Sequence, residues 1–237
     1  MNTKNSSANY NMQTQVIVVG AGKLATELLS SLKVDGEFRV ISWENRPAAA
    51  HKSIIVHAGS GRELKAVAAY CKATQSTLIE LATGSEIASA THAFPIVLCP
   101  NTNILMLKFM SMLERSGHLF RGHRITLAES HQAQKTSVPG TAVSMAHALG
   151  LKESDVLSIR NVSTQRADLE IPEVHLARHA YHRILIEDGE CSLKLETRVY
   201  GESPYADGVA RIVAAVKDKD LENRRYSIME FVNNGWI

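Results

Sequence analysis

The chain has 237 residues, a formal net charge of +2, 45% hydrophobic residues and 21% charged residues. That length fits one large domain or two small ones, and so small a net charge supplies no field for nucleic acid or a membrane surface. The three cysteines, Cys71, Cys99 and Cys191, are too far apart for a zinc motif or a disulfide framework.

Met1 to Gln13 is polar and rich in Asn and Ser, without the apolar centre of a signal peptide. It reads as a disordered extension or a cloning remnant and is set apart from the fold. The chain has no apolar run of about 18 residues, so no membrane span is expected. Free thiols suit a reducing compartment, and the expected location is cytoplasmic.

Gln15 to Val19 is a β-branched run of the kind found in buried parallel strands. Gly20-Ala21-Gly22 turns the chain, and Leu24, Leu28, Leu29 and Leu32 then recur at helical spacing. Phe38 to Trp43 reads as a second strand and Ser53 to His57 as a third. Gly61 to Ala73 reads as a helix, Thr77 to Leu81 as a strand, Glu86 to Thr91 as a short helix, and Ile96 to Cys99 as a fifth strand. Strands and helices alternating at these lengths predict a parallel sheet covered by helices. After Pro100-Asn101 the pattern changes. A helix is expected over Ile104 to Ser116, a strand over Arg124 to Glu129, and a helix over Thr141 to Leu149 that stops at Gly150. Val156 to Thr197 reads as strand-like, with a turn at Glu187-Asp188-Gly189-Glu190. Ala206 to Val216 is helical, and Tyr226 to Val232 is a closing amphipathic segment. The fold class is α/β: a Rossmann-like domain followed by a mixed α+β domain.

Two places carry chemistry. Gly20-x-Gly22-x-x-Ala25, after a strand and before a helix, fits a dinucleotide fingerprint. The first glycine allows the tight turn, and the second lets the backbone approach a pyrophosphate at the helix N-terminus. Ala21, Lys23 and Leu24 complete that loop. Glu44, at the end of the second strand, is placed for ribose hydroxyls, while Arg46 is placed for a 2′-phosphate, so NADPH and NADH both remain open. The alternative is that the glycines only shape a turn.

The other place is His131, with Lys135 four positions on and Pro139-Gly140-Thr141 close behind. Histidine is the usual proton donor near neutral pH, and lysine is a second donor or a cation for a carboxylate. On a helix the two side chains would share a face, whereas in a loop their meeting depends on tertiary contacts. The N–H groups of Gly140 and Thr141 and the Thr141 hydroxyl suit a carboxylate, or simply cap a helix. His175, His179 and His182 lie in a β-rich stretch, without a helical pair plus a third ligand, so a structural role, and no metal site, is expected.

The run Glu129-Ser130-His131-Gln132-Ala133-Gln134-Lys135-Thr136-Ser137-Val138-Pro139-Gly140-Thr141-Ala142 resembles the dihydrodipicolinate reductase family pattern Glu-x-His-His-x-x-Lys-x-Asp-x-Pro-Ser-Gly-Thr-Ala, one residue shorter before Gly140. Cys99-Pro100-Asn101-Thr102-Asn103 is similar to that family's Ala-Pro-Asn-Phe-Ser hinge. Leu81-Ala82-Thr83-Gly84 is similar to its Gly-Thr-Thr-Gly beside the nicotinamide, Tyr205-Ala206-Asp207-Gly208 to its Phe-Ala-x-Gly, and Tyr226-Ser227-Ile228-Met229 to its closing segment.

The resemblance implies an NAD(P)H-dependent reductase that passes hydride to a small cyclic imine-like dicarboxylate in lysine/diaminopimelate biosynthesis. It implies a dinucleotide domain of residues 14–102 and 217–237, and a substrate and oligomerisation domain of residues 103–216, in a homotetramer. His131 would be the acid/base and Lys135 the proton donor or its partner. Gln132, Gly140 and Thr141 would hold the substrate. Gly20, Ala21, Gly22, Lys23, Leu24, Glu44, Arg46, Ala58, Leu81, Ala82, Thr83, Cys99 and Asn101 would hold the cofactor. The chain departs from the pattern at Gln132, where the family has its second histidine, at Lys23-Leu24-Ala25, and at Ala58-Gly59 in place of a Phe-Thr pair. These changes leave open a paralogue reducing another cyclic imine or keto acid, or a nucleotide-sensing protein without turnover.

Overall fold

A computed structural model describes residues 13–34, 38–136, 138–201 and 205–237. Apart from Gln13, the expected tail lies outside the described residues. The chain divides into two compact units, one of Met1–Thr102 with Tyr205–Glu230 and Ile237, the other of Asn103–Pro204 with Phe231–Trp236.

The first unit is built on β1 (Thr14–Val19), α1 (Lys23–Ser31), β2 (Phe38–Ser42), β3 (Ile54–His57), α2 (Leu64–Thr74), β4 (Thr77–Glu80) and β5 (Ile96–Leu98). These strands and β10 (Arg225–Ser227) form one parallel sheet in the order β10-β5-β4-β3-β1-β2. The strands read as unbroken apolar runs because both faces are covered: Val16 to Val19, Ile55, Val56, Leu78 and Ile79 are fully buried. The chain leaves β1 for β2 on one side and returns to β3 on the other. That reversal makes a topological switch point at the carboxyl ends of β1 and β3, where ligands of open α/β sheets sit.

The second unit begins with α3 (Ile104–Ser116) and β6 (Arg124–His131), followed by α4 (Gly140–Leu149), β7 (Leu157–Ile159), α5 (Val162–Ala167), β8 (Ala180–Asp188) and β9 (Cys191–Val199). Its sheet runs β7-β6-β8-β9, parallel only between β6 and β7. Met106, Leu113, Met145 and Leu149 of α3 and α4 share a core with Leu127, Ile184 and Ile186 of one sheet face. The last elements of the chain are α6 (Ala206–Lys217), β10 and α7 (Ile228–Asn233). Among the described residues, no helix is long and apolar enough to cross a membrane.

Several expected bounds move, each for a physical reason. The second helix starts at Leu64 rather than Gly61, because Gly61 takes φ +96, outside the helical region. Glu86 to Thr91 shrinks to one 3₁₀ turn, Glu86–Ala88. The stretch after Val156 is not strand throughout. The Asn161 side chain accepts a hydrogen bond from the Thr164 amide at 3.0 Å and starts α5, and a 3₁₀ turn follows Pro172. The return to the first unit begins at Tyr205, not at residue 217. α6 buries Val209, Ile212, Val213 and Val216 within that unit, and a Cβ on Gly208 would overlap the Thr102 carbonyl. The return also ends early: Phe231 is fully buried in the second unit, where Ser111 Oγ donates to Asn233 Oδ1 at 2.6 Å.

Candidate functional site

In the first unit the candidate groups lie where β1 and β3 end. Gly20 takes φ +126, and a Cβ there would lie 2.7 Å from the Ala58 carbonyl oxygen and 2.9 Å from Gly59 Cα. The two turns thus touch backbone to backbone, which only glycine permits. Gly22 stands at the N-cap of α1 without a side-chain cap, and a Cβ on it would meet nothing within 4 Å. The first-turn amides of α1 have no capping side chain, an arrangement that suits an anion. Ala21 and Lys23 are exposed beside them and Leu24 is half-buried.

Glu44 is exposed in the turn after β2, the position expected for a ribose partner. Arg46 folds back, with its guanidinium 3.8 Å over the Trp43 ring and donating to the Trp43 carbonyl at 2.5 Å. Ala58 and Thr83 lie on the loops after β3 and β4. A cleft of about 470 Å³ is lined by Gly59, Ser60, Ala82 and Thr83 with His57 and Leu64. Leu81 is turned inward, and its amide donates to the His57 carbonyl at 3.0 Å. Cys99 is fully buried, and its thiol donates to the Asn101 carbonyl at 3.2 Å. Burial pushes that thiol up to about 12, so it stays neutral and closed off.

In the second unit β6 runs two residues past its expected end and places His131 at the strand terminus. Gln132 to Lys135 is then a turn, closed by the Lys135 amide donating to the Gln132 carbonyl at 3.0 Å, so His131 and Lys135 do not share a helical face. Glu129 and His131, two apart on a strand, do share a sheet face. His131 Nδ1–H donates to Glu129 Oε2 at 2.8 Å. The buried Glu129 carboxylate also takes two bonds from Arg160, at 2.6 and 3.2 Å. Burial alone would raise that carboxyl, but the bonds from His131, Arg160 and Ser158 outweigh it and hold the group at about 2. Arg160 Nε donates to the Lys135 carbonyl at 2.8 Å, so one guanidinium ties the strand end to the His–Lys turn.

More polar residues gather around His131 than its own segment supplies. Gln165 donates to Ser130 Oγ at 3.0 Å and to the His131 carbonyl at 2.8 Å. Ser130 Oγ meets His179 Nε2 at 3.0 Å. The His182 ring stands edge-on to that of His131, with centroids 5.9 Å apart. Burial, then the charge of His131, brings His182 down to about 4, so it is neutral wherever His131 works near neutral pH. α4 opens at Gly140 after Pro139 with no side-chain cap, and Gly140 and Thr141 hold its first turn. Sequence reasoning missed Arg160, which holds Glu129, and Gln165 and His182, which stand against His131. Of these contacts only the Glu129-x-His131 alternation has a signature in the sequence.

No family model matches the chain. A probable 4-hydroxy-tetrahydrodipicolinate reductase 1 of Oryza sativa subsp. japonica is 33% identical over 104 residues, covering 41% of this chain and 30% of that protein. Over that stretch the chain is similar to these reductases. The 4-hydroxy-tetrahydrodipicolinate reductase 2 of Arabidopsis thaliana is 29% identical over 134 residues, 52% of this chain and 38% of that protein. The matched part thus spans well under half the length of these curated relatives. Among solved structures, a dipicolinate-bound dihydrodipicolinate reductase from Paenisporosarcina sp. TG-14 superposes with a TM-score of 0.62 at 15% identity, over 91% of this chain and 98% of that one. That likeness confirms the fold class, a Rossmann-like parallel sheet with a mixed α+β domain.

Proposed function

We propose that the chain is an NAD(P)H-dependent reductase of the 4-hydroxy-tetrahydrodipicolinate reductase type, acting on a small cyclic imine-like dicarboxylate. The observation that carries this reading is the Glu129–His131 pair, a histidine fixed by a buried carboxylate inside the stretch that resembles the family pattern. When bound, the reduced nicotinamide supplies hydride. The first unit holds it: the α1 amides after Gly20-Ala21-Gly22 take the pyrophosphate, and Glu44 or Arg46 reads the ribose.

Protons belong to the second unit. Glu129, ionised at neutral pH, holds Nδ1–H of His131 and leaves Nε2 to give or take a proton. Lys135 is the second donor or its partner. Gly140 and Thr141, at the α4 N-terminus, hold a substrate carboxylate, and Gln132, in the turn after β6, is a further substrate contact. The half-exposed β9 side of the four-stranded sheet is the face through which copies of the chain would associate, and sedimentation of the intact protein checks it.

His131→Gln should cut cofactor-linked turnover by roughly 10²- to 10⁴-fold, the usual share of one general acid. Lys135→Ala should add to the loss. Turnover at the wild-type rate in both variants contradicts the proton assignment. Gln132 favours a second reading, a paralogue with another cyclic imine or keto acid, because an amide cannot carry the proton a second histidine would. Oxidation of cofactor with such a substrate, and none with 4-hydroxy-tetrahydrodipicolinate, selects it.

A further inference from the structure

One buried carboxylate in the first unit has no part in the assignments above. Glu80 ends β4, is 1% exposed, and stands in register with the fully buried His57 at the end of β3. Burying a carboxylate is costly unless its oxygens are met by donors. Here His57 Nδ1–H donates at 2.8 Å to Oε1 and 2.9 Å to Oε2. The Ala82 amide donates to Oε1 at 2.8 Å, and the Ser85 hydroxyl donates to Oε2 at 2.9 Å. One side chain thus ties the end of β3 to both ends of the loop that follows β4.

Two features show that this loop is shaped around the carboxylate. Ser85 is the N-cap of the 3₁₀ turn Glu86–Ala88, where a serine hydroxyl ordinarily accepts from the turn's own amides. It makes no such cap bond and donates inward to Glu80 instead. Gly84 takes φ +72, a left-handed turn that brings Ser85 back to the strand end. Ala82, Thr83 and Ser85 then line one side of the cleft of about 470 Å³ that His57 and Gly59 line from β3.

The sheet order says which half of a dinucleotide meets this loop. The glycine turn follows β1, with β2 and Glu44 on one side of it and β3 and β4 on the other. A dinucleotide laid across the switch point with its adenosine ribose at Glu44 carries its nicotinamide half over β3 and β4. We propose that Glu80 is a positioning residue for the nicotinamide half of the cofactor, holding the Ala82–Ser85 loop in its binding shape before the cofactor arrives. This rests on the reading that the first unit binds a nicotinamide dinucleotide. Glu80 is closed off from the cleft and acts through the loop. A loop held in place loses little freedom on binding, whereas a released loop must be ordered by the ligand and weakens its affinity.

Titration calorimetry on the full chain tests it with NAD⁺ against ADP-ribose, and NADP⁺ against 2′-phospho-ADP-ribose, pairs that differ in the nicotinamide ring. Glu80→Gln keeps the size of the side chain but brings an NH₂ group, so it cannot accept from His57, Ala82 and Ser85 together. It should weaken the ring-bearing ligand roughly tenfold and the ringless one by less than about twofold. Ser85→Ala removes a single bond from a half-buried side chain and should weaken the ring-bearing ligand about threefold with the same selectivity, which keeps the test open if Glu80→Gln does not fold. Ser85→Thr keeps the hydroxyl and should restore the ratio. Equal losses for both members of a pair make Glu80 a support of the fold alone and overturn the proposal, as does no loss for either, while the dinucleotide reading stands. A wild type that binds none of the four ligands overturns both.

Discussion

Around Gly20 in the first unit, the groups offered to a ligand are mostly main-chain: the turn against Ala58-Gly59, the α1 amides and the loops after β3 and β4. Around His131 in the second unit they are side chains, joined as Lys135 carbonyl–Arg160–Glu129–His131, with Gln165, His179 and His182 beside them. Backbone sites depend on conformation and tolerate changes of side chain. Side-chain sites depend on charge balance and fail when one member is removed. The departures from the family pattern fit this contrast: Lys23-Leu24-Ala25 changes side chains at the start of α1 and leaves its main-chain amides in place, while Gln132 stands where the pattern has an ionisable group.

The largest effect expected from that contrast is at Arg160. Arg160→Ala leaves the buried Glu129 carboxylate without its main partner, and should cost about 3–5 kcal/mol in denaturant unfolding. A loss below about 1 kcal/mol would mean that water reaches Glu129 and the network is not closed. Next is Gly20→Ala, which combines a left-handed φ with a Cβ 2.7 Å from a carbonyl oxygen. It should cost about 2–3 kcal/mol and weaken dinucleotide binding, whereas Gly22→Ala, with open space around it, should change stability by less than about 1 kcal/mol. Equal losses at both glycines would erase the distinction drawn between them.

Acid sharpens the second half of the comparison. The Glu129 carboxyl sits at about 2 against an ordinary 4.5, so its contribution is present above pH 4.5 and lost as pH falls toward 2. His182 is held at about 4 against 6.5, so the native state loses stability as pH falls from 6.5 through 4. Each group is worth on the order of 2–3 kcal/mol. Thermal midpoints should therefore drop through both windows, and His182→Phe should flatten the upper one only. An unchanged upper window in that variant would show that another group titrates there. The smallest effects are at the caps: Asn103→Ala and Asn161→Ala each remove a side chain that accepts from a first-turn amide at 3.0 Å, and should each cost about 1 kcal/mol in unfolding measurements.

The same contrast explains what was legible in the chain. Parallel strands, the Gly20 turn and the α4 stop at Gly150 follow from local composition and φ requirements, and all are present. The position of His131 followed from its motif. Its supporting groups did not, because Arg160, Gln165 and His182 reach it by strand register and loop path rather than by spacing. His182 lies opposite Glu129 only through the β6–β8 pairing. The strand-like reading of Val156 to Thr197 holds for the hairpin around Gly189 but not for the segment before it, where Asn161 starts α5 and Pro172 precedes a 3₁₀ turn.

The most direct measurement is loss of the reduced-nicotinamide absorbance when the intact chain meets freshly made 4-hydroxy-tetrahydrodipicolinate with NADPH and then with NADH. The account predicts oxidation of cofactor that requires both substrate and His131. Cofactor binding with no oxidation of either nucleotide, on this substrate or on other cyclic imines and keto acids, would contradict it.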